Sequence, residues 1–213
     1  MTDRSYAGLV RSSILHLPTT YSALAEAFPV VRRSDAAGVV ENLPSRADNL
    51  PPRGRILVLV SAEQILLPYR IYNEPPTQPE ETAIRETIRA CLYSRHHNGF
   101  ERERAIATAL ASGESFVVPF AVELLGGYPI EIHWKIEEYL DLFWGGAQAN
   151  VFRSFAQDNP EYILFTRQRA VSYWNAYYRH WGPRIADPRA FPAIRMLDAM
   201  SANANPPRAD QKQ

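Results

Sequence analysis

The sequence predicts a mainly α-helical protein: a compact helical array carrying one N-terminal β-hairpin. Three observations predict it. From Pro79 onward, apolar residues recur at helical spacing, beginning with Ile84, Ile88, Cys91 and Leu92. A convincing strand signal occurs once, where β-branched and aromatic residues fill positions 55–72. Prolines cluster at joints, including Pro44, Pro51 and Pro52, then Pro75, Pro76 and Pro79, then Pro183, Pro188 and Pro192. The expected organisation is an N-terminal segment 1–78 packed on the core, a helical domain 79–200 and a disordered tail 201–213.

Thr19 and Thr20 before Tyr21–Phe28, with Pro29 after it, predict a short helix with a hydroxyl cap and a proline stop. The polar stretch 34–53 reads as a joint. Arg55–Val60 and Ile65–Tyr72 predict two strands around a four-residue turn at 61–64. Pro68 cannot donate to a ladder, so the second strand belongs at an edge or ends in a bulge. Two strands alone are marginal in water, so the hairpin must rest on helices.

A helix from Ile84 to about Arg95 comes next. Asn98, three residues before Glu101, predicts a reciprocally capped helix over Phe100–Ser112, closed by Gly113. Ser115–Leu125 is apolar on nearly all sides, with Pro119 in its first turn, and predicts a buried helix. Tyr128–Phe143 fits a half-buried strand through Ile130, Ile132, Trp134 and Ile136. It also fits a helix through Ile132, Ile136, Tyr139, Leu140 and Phe143; the helical match is longer, so a helix is expected. Phe152–Gln157 predicts another, reaching back towards Ala147. Asn159-Pro160-Glu161 marks the start of a helix of about 22 residues that stops at Gly182-Pro183, and a last helix runs from Pro188 to about Met200.

Composition narrows the function classes. The chain has 213 residues with 23 basic and 23 acidic side chains, so no global field draws it to nucleic acid or an anionic membrane. Arginine outnumbers lysine, which is confined to Lys135 and Lys212. Arginine suits bidentate contacts to carboxylate and phosphate, and a GC-rich coding sequence produces the same bias. The single cysteine, Cys91, fits a reducing compartment, and a cytoplasmic location is expected. The longest apolar run, Phe116–Val122, is too short to span a bilayer. Charge is unevenly divided: residues 74–141 carry 12 acidic and 6 basic side chains, residues 142–213 carry 5 and 9.

The segment Gly99–Leu110, then Val118–Leu125, then Gly127–Ile136 resembles short HEAT-type helical repeats, over residues 99–143. Gly99-Phe100 with Glu103 recurs as Gly127-Tyr128 with Glu131, 28 residues on. The resemblance implies stacked helix pairs and a non-enzymatic scaffold that binds another macromolecule, in the first place a protein, in a bacterial cytoplasmic assembly. Homo-oligomerisation stays open. The stretches Arg95–Phe100 and Arg167–Arg179 also resemble a bacterial family of unassigned function.

Candidate binding residues lie in two places. On a wheel of the long helix, Ile163, Leu164, Ala170, Val171, Trp174, Tyr177, Tyr178 and Trp181 share one face with Arg167 near its centre. Arg167 is therefore expected in a buried salt bridge with an acid of the middle segment, or else on a ligand anion. The aromatics are expected in the core, the alternative being stacking of unpaired bases. The opposite face, Arg169, Ser172, Asn175, Arg179 and His180, is expected to meet a partner, and with nucleic acid it would supply the phosphate contacts. His96 and His97 could join Glu101 in a metal or acid/base site of a small hydrolase, as could His133 with Glu137. The spacing matches no zinc motif, so a polar capping loop with no metal and no cofactor is expected. Cys91 lies on an apolar stripe and is expected in the core.

Overall fold

The hairpin reverses more tightly than the sequence suggests. In the computed structural model, which describes residues 14–15, 21–44, 53–75, 77–78, 80, 82–143 and 146–202, β2 (Arg53–Val60) and β3 (Glu63–Arg70) are joined by two residues, not four. Ser61 and Ala62 both take positive φ, 50° and 66°, the left-handed pair of a type I′ turn. Left-handed backbone costs roughly 1–2 kcal/mol per ordinary residue. Replacing Ser61-Ala62 with Asn-Gly is therefore expected to stabilise the protein by about 1 kcal/mol, read from the urea midpoint. An unmoved midpoint would show that this turn holds no such strain.

A short β1 (Ile14–Leu15) adds to the other side of β2, giving an antiparallel sheet in the order β1-β2-β3. Pro68 lies on the edge strand, as expected. Its carbonyl faces outward to the Arg95 side chain, so its missing N–H deprives β2 of nothing. Beyond β3, Ile71 exchanges backbone hydrogen bonds with Arg95 and His97, which closes that edge.

Tyr21–Ala27 is helical, as a 3₁₀ segment; its expected threonine cap lies outside the described residues. The joint at 34–53 is corrected: Arg33–Glu41 forms α1, which buries Ala36, Val39 and Val40. The later helices follow the sequence closely: α2 (Ala83–Tyr93), α3 (Gly99–Ala111), α4 (Val118–Leu125) and α5 (Ile130–Phe143). They continue as α6 (Ala147–Asp158), α7 (Pro160–Tyr173) and α8 (Pro192–Ser201). The segment 128–143 is thus helical. The long helix ends earlier than expected, because at Trp174–Tyr178 it widens into a π-turn, with the Arg179 N–H donating to the Trp174 carbonyl. The expected tail from residue 203 lies outside the described residues.

Helix α4 is buried on every side and touches α3, α5, α6, α7 and α8. Its Phe120 stacks on Phe28, just after the 3₁₀ segment, with ring centroids 5.4 Å apart, so one core runs from the N-terminal segment into the bundle. Cys91 sits in that core, where burial pushes its thiol well above the usual value. No helix among the described residues is long and apolar enough to cross a membrane.

Candidate anion-binding site

Because α4 is wholly buried, its one charged residue must find its partners inside the protein. Arg169 of α7 binds Glu123 through both guanidinium ends, Nη1 to Oε1 and Nη2 to Oε2, each at 2.7 Å. The Tyr162 hydroxyl donates to Oε2 at 2.6 Å, and Arg95 Nη2 lies 3.4 Å from Oε1. Burial alone would raise the Glu123 carboxyl; the charges of Arg169 and Arg95 and the Tyr162 hydroxyl outweigh it and hold the group below its ordinary value. Arg95 also donates to the carbonyls of Pro68 and Tyr69, tying α2 to the edge strand. Gly126 is part of this arrangement, since a Cβ there would lie 2.6 Å from Arg169 Nη2.

Arg102 lies beside this cluster and differs from it in having no acid. It starts the buried stripe of α3 with Ala105, Ile106 and Ala109 and is 6% exposed. Its Nη1 donates to the carbonyls of His96 and His97, both at 3.0 Å, and its Nη2 to the Tyr128 carbonyl at 2.6 Å. These bonds fix the guanidinium between the α2–α3 and α4–α5 connections. Arg70 at the end of β3 stands nearby, held among the described residues by a long bond to the His96 carbonyl and by contact with the Tyr69 ring. Burial first, then repulsion from Arg70 and Arg95, brings the Arg102 guanidinium down to about 10. Among the described residues, neither Arg70 nor Arg102 has a carboxylate partner.

These two arginines, with His97, Tyr128, Tyr173 and Tyr177, line a cleft of about 400 Å³. That volume lies within the range of small-ligand sites, about 300–1,000 Å³. The arrangement can hold an anion by charge-assisted hydrogen bonds against tyrosine walls. On the far side of Arg169 a second hollow, about 460 Å³ and lined by Ile56, Tyr162, Phe165 and Tyr173, opens towards solvent.

The residues singled out from sequence are divided by the fold. Arg167 is not buried: its side chain is 38% exposed and pairs with Asp198 of α8. The buried bridge to an acid of the middle segment exists, but Arg169 makes it. Arg169, its side chain 33% exposed, spends both guanidinium ends on the buried Glu123 carboxylate. Arg179 is exposed and bonds Asn175 one turn back, and His180 is exposed beside it. His96 is buried, with Nδ1 accepting from the Asn98 N–H at 3.2 Å. His97 is exposed and stacks on Tyr72 at 5.4 Å. Of the six, only His97 borders the arginine cleft.

Asn98 caps α3 as expected, through the Phe100 N–H, yet the reciprocal bond is absent because His96 takes the Asn98 N–H and Glu101 pairs with Arg104. Among the described residues, no three His, Cys, Asp or Glu side chains gather as a metal site would require. The expected aromatic core of the long helix is also corrected: Tyr178 is buried, while Tyr177 and Trp181 are 59% and 60% exposed.

Sequence reasoning passed over Arg70, Arg102 and Glu123, although two of them carried a signal. Glu123 is the lone charge between Phe116 and Leu125, and Arg102 stands on the same helical stripe as Ala105, Ile106 and Ala109. Comparison with family models, with curated proteins and with solved structures finds no match to this chain.

Proposed function

We propose that this protein is a non-enzymatic binding module of the cytoplasm whose ligand presents an anionic group to Arg70 and Arg102. One observation carries the proposal: a buried arginine fixed by carbonyl oxygens, with a second arginine beside it and no described carboxylate to neutralise either. Such cation pairs are costly alone and become favourable when an anion joins them. For the nucleic-acid alternative that used the C-terminal helices, Arg167 and Arg169 are paired with Asp198 and Glu123, which leaves Arg179 and His180 as its exposed cationic groups. The hydrolase alternative gains no supporting geometry at His96 or His97.

The test is a thermal-shift and calorimetric panel of phosphate, pyrophosphate and a dicarboxylate on the wild type and Arg70→Ala. Saturable binding of at least one anion, weakened about tenfold by Arg70→Ala, is expected, the loss being that of one charge-assisted contact. Absence of binding by every anion would overturn the proposal.

A helical scaffold that docks a protein is the second reading. It is favoured by Leu164 and Phe165 of α7, 53% and 49% exposed, of which Phe165 lines the larger hollow. The HEAT-like segment, now α3 to α5, would then act as a frame behind that face.

A further inference from the structure

We propose that the anion is the phosphate of a nucleotide whose base stacks on Tyr128 and Tyr177. The proposal rests on the anion-binding reading and adds the identity of the ligand. Two rings at the cleft are left open to solvent: Tyr128 is 53% exposed and Tyr177 is 59% exposed. Their centroids are 5.8 Å apart and their planes inclined by 53°, an open wedge rather than a closed stack. Tyr173 backs Tyr177 at 5.9 Å with nearly parallel planes, and Tyr178 backs Tyr128 at 6.2 Å. Each exposed ring thus packs against a second tyrosine and borders the cleft. Large aromatic surface costs free energy in water, and base stacking covers it without demanding a particular base.

The cations and the rings share one cavity, which is what a nucleotide requires and a simple carboxylate does not. Arg102 cannot swing, so its remaining N–H donors are oriented before the ligand arrives. The π-turn that carries Tyr177 belongs to a class of distortion concentrated at functional sites. Size and charge restrict the ligand to one phosphorylated unit. The next hollow along, about 420 Å³, is lined by Glu103 and Glu131, which repel further phosphates, and Arg169 on the other side is already neutralised by Glu123. A free nucleotide and the phosphorylated end of a single strand present the same chemistry.

The test is calorimetric titration of the full chain with adenosine monophosphate, adenosine, inorganic phosphate and a 5′-phosphorylated single-stranded hexanucleotide. Arg70→Ala and Tyr177→Ala serve as variants, because neither side chain lies in the core. The monophosphate is expected to bind at least about tenfold more tightly than phosphate or adenosine, the worth of one stacked base. Arg70→Ala loosens monophosphate and phosphate alike, whereas Tyr177→Ala loosens only the monophosphate, about tenfold. Monophosphate binding no tighter than phosphate, or unmoved by Tyr177→Ala, overturns the nucleotide proposal and leaves the anion site standing. Failure of every ligand overturns both. A hexanucleotide no tighter than the monomer identifies a free nucleotide as the source; one that binds more tightly with a steep salt dependence identifies a strand end.

Discussion

Glu123→Ala is expected to destabilise the fold by about 3–5 kcal/mol, the cost of removing one partner from a buried ion pair. The carboxylate is 1% exposed and answers Arg169 twice, Arg95 once and the Tyr162 hydroxyl once. Without it Arg95, 3% exposed, keeps among the described residues the carbonyls of Pro68 and Tyr69, and two guanidinium charges face each other across an empty site. The loss reaches three parts of the fold at once, since the α2–α3 connection, α4 and α7 meet at this group. Glu123→Gln keeps the shape and one acceptor but not the charge, so its cost should fall between that of alanine and zero. Urea denaturation of the three proteins measures the series. A loss below about 1 kcal/mol for alanine, the worth of an exposed pair, would show that the arginines escape to solvent and that the cluster does not hold the helices together.

The contrast between Arg167 and Arg169 shows what the sequence could and could not convey. A buried arginine answering the acidic middle segment was legible from charge division and periodicity. Its position was not, because a wheel drawn over the whole segment assumes one straight α-helix. Helix α7 stops at Tyr173, the π-turn shifts every later residue, and the face that packs on α4 is set by Tyr162, Ile163, Thr166 and Ala170. Arg169 lies within bonding reach of Thr166 on that side, while Arg167 turns to α8.

Asn159 illustrates a second limit. Its place before Pro160 correctly marks the start of α7, but its side chain does not cap that helix; Nδ2 donates to the Phe155 carbonyl at the end of α6. It exchanges both amide hydrogen bonds with the backbone of Leu59 in β2, at 2.7 and 2.8 Å, acting as one unit of a neighbouring strand. Local chemistry favoured the cap; a contact 100 residues away in sequence took the amide instead. The element α1 was missed for a related reason. Three buried residues in a stretch with Ser34, Asp35 and Gly38 carry weak helical propensity, and packing against α2 supplies the stability. The arginine cleft is assembled from β3, the α2–α3 connection, α3, the α4–α5 connection and α7, so no local pattern could have named it.

Acidification from pH 6.5 to about 4 is expected to remove roughly 3 kcal/mol of stability through His133 alone, at about 1.4 kcal/mol per pH unit of displacement. The ring is fully buried, lies edge-on to Phe191 and has Nε2 3.0 Å from the Gly127 carbonyl, which fixes the proton on Nε2. Its Nδ1 has no hydrogen-bond partner among the described residues, so a second proton would be an orphan donor in the core. Burial accordingly brings its pKa down to about 4, against the pull of the Leu124 and Gly127 carbonyls. The unfolded chain takes up the proton near pH 6.5 and the folded one only near 4, so the unfolded state binds more protons throughout that window. The stabilisation is complete above pH 6.5 and is lost as pH falls through the folded value. His133→Gln can keep the bond to Gly127 but cannot titrate. Carboxylates shared by both proteins cancel in the comparison, so the wild type should lose about 3 kcal/mol more than the variant between pH 7 and pH 4. Parallel pH profiles would mean that the imidazole reaches solvent on protonation and that the packing of α5 against Phe191 is looser than the structure shows.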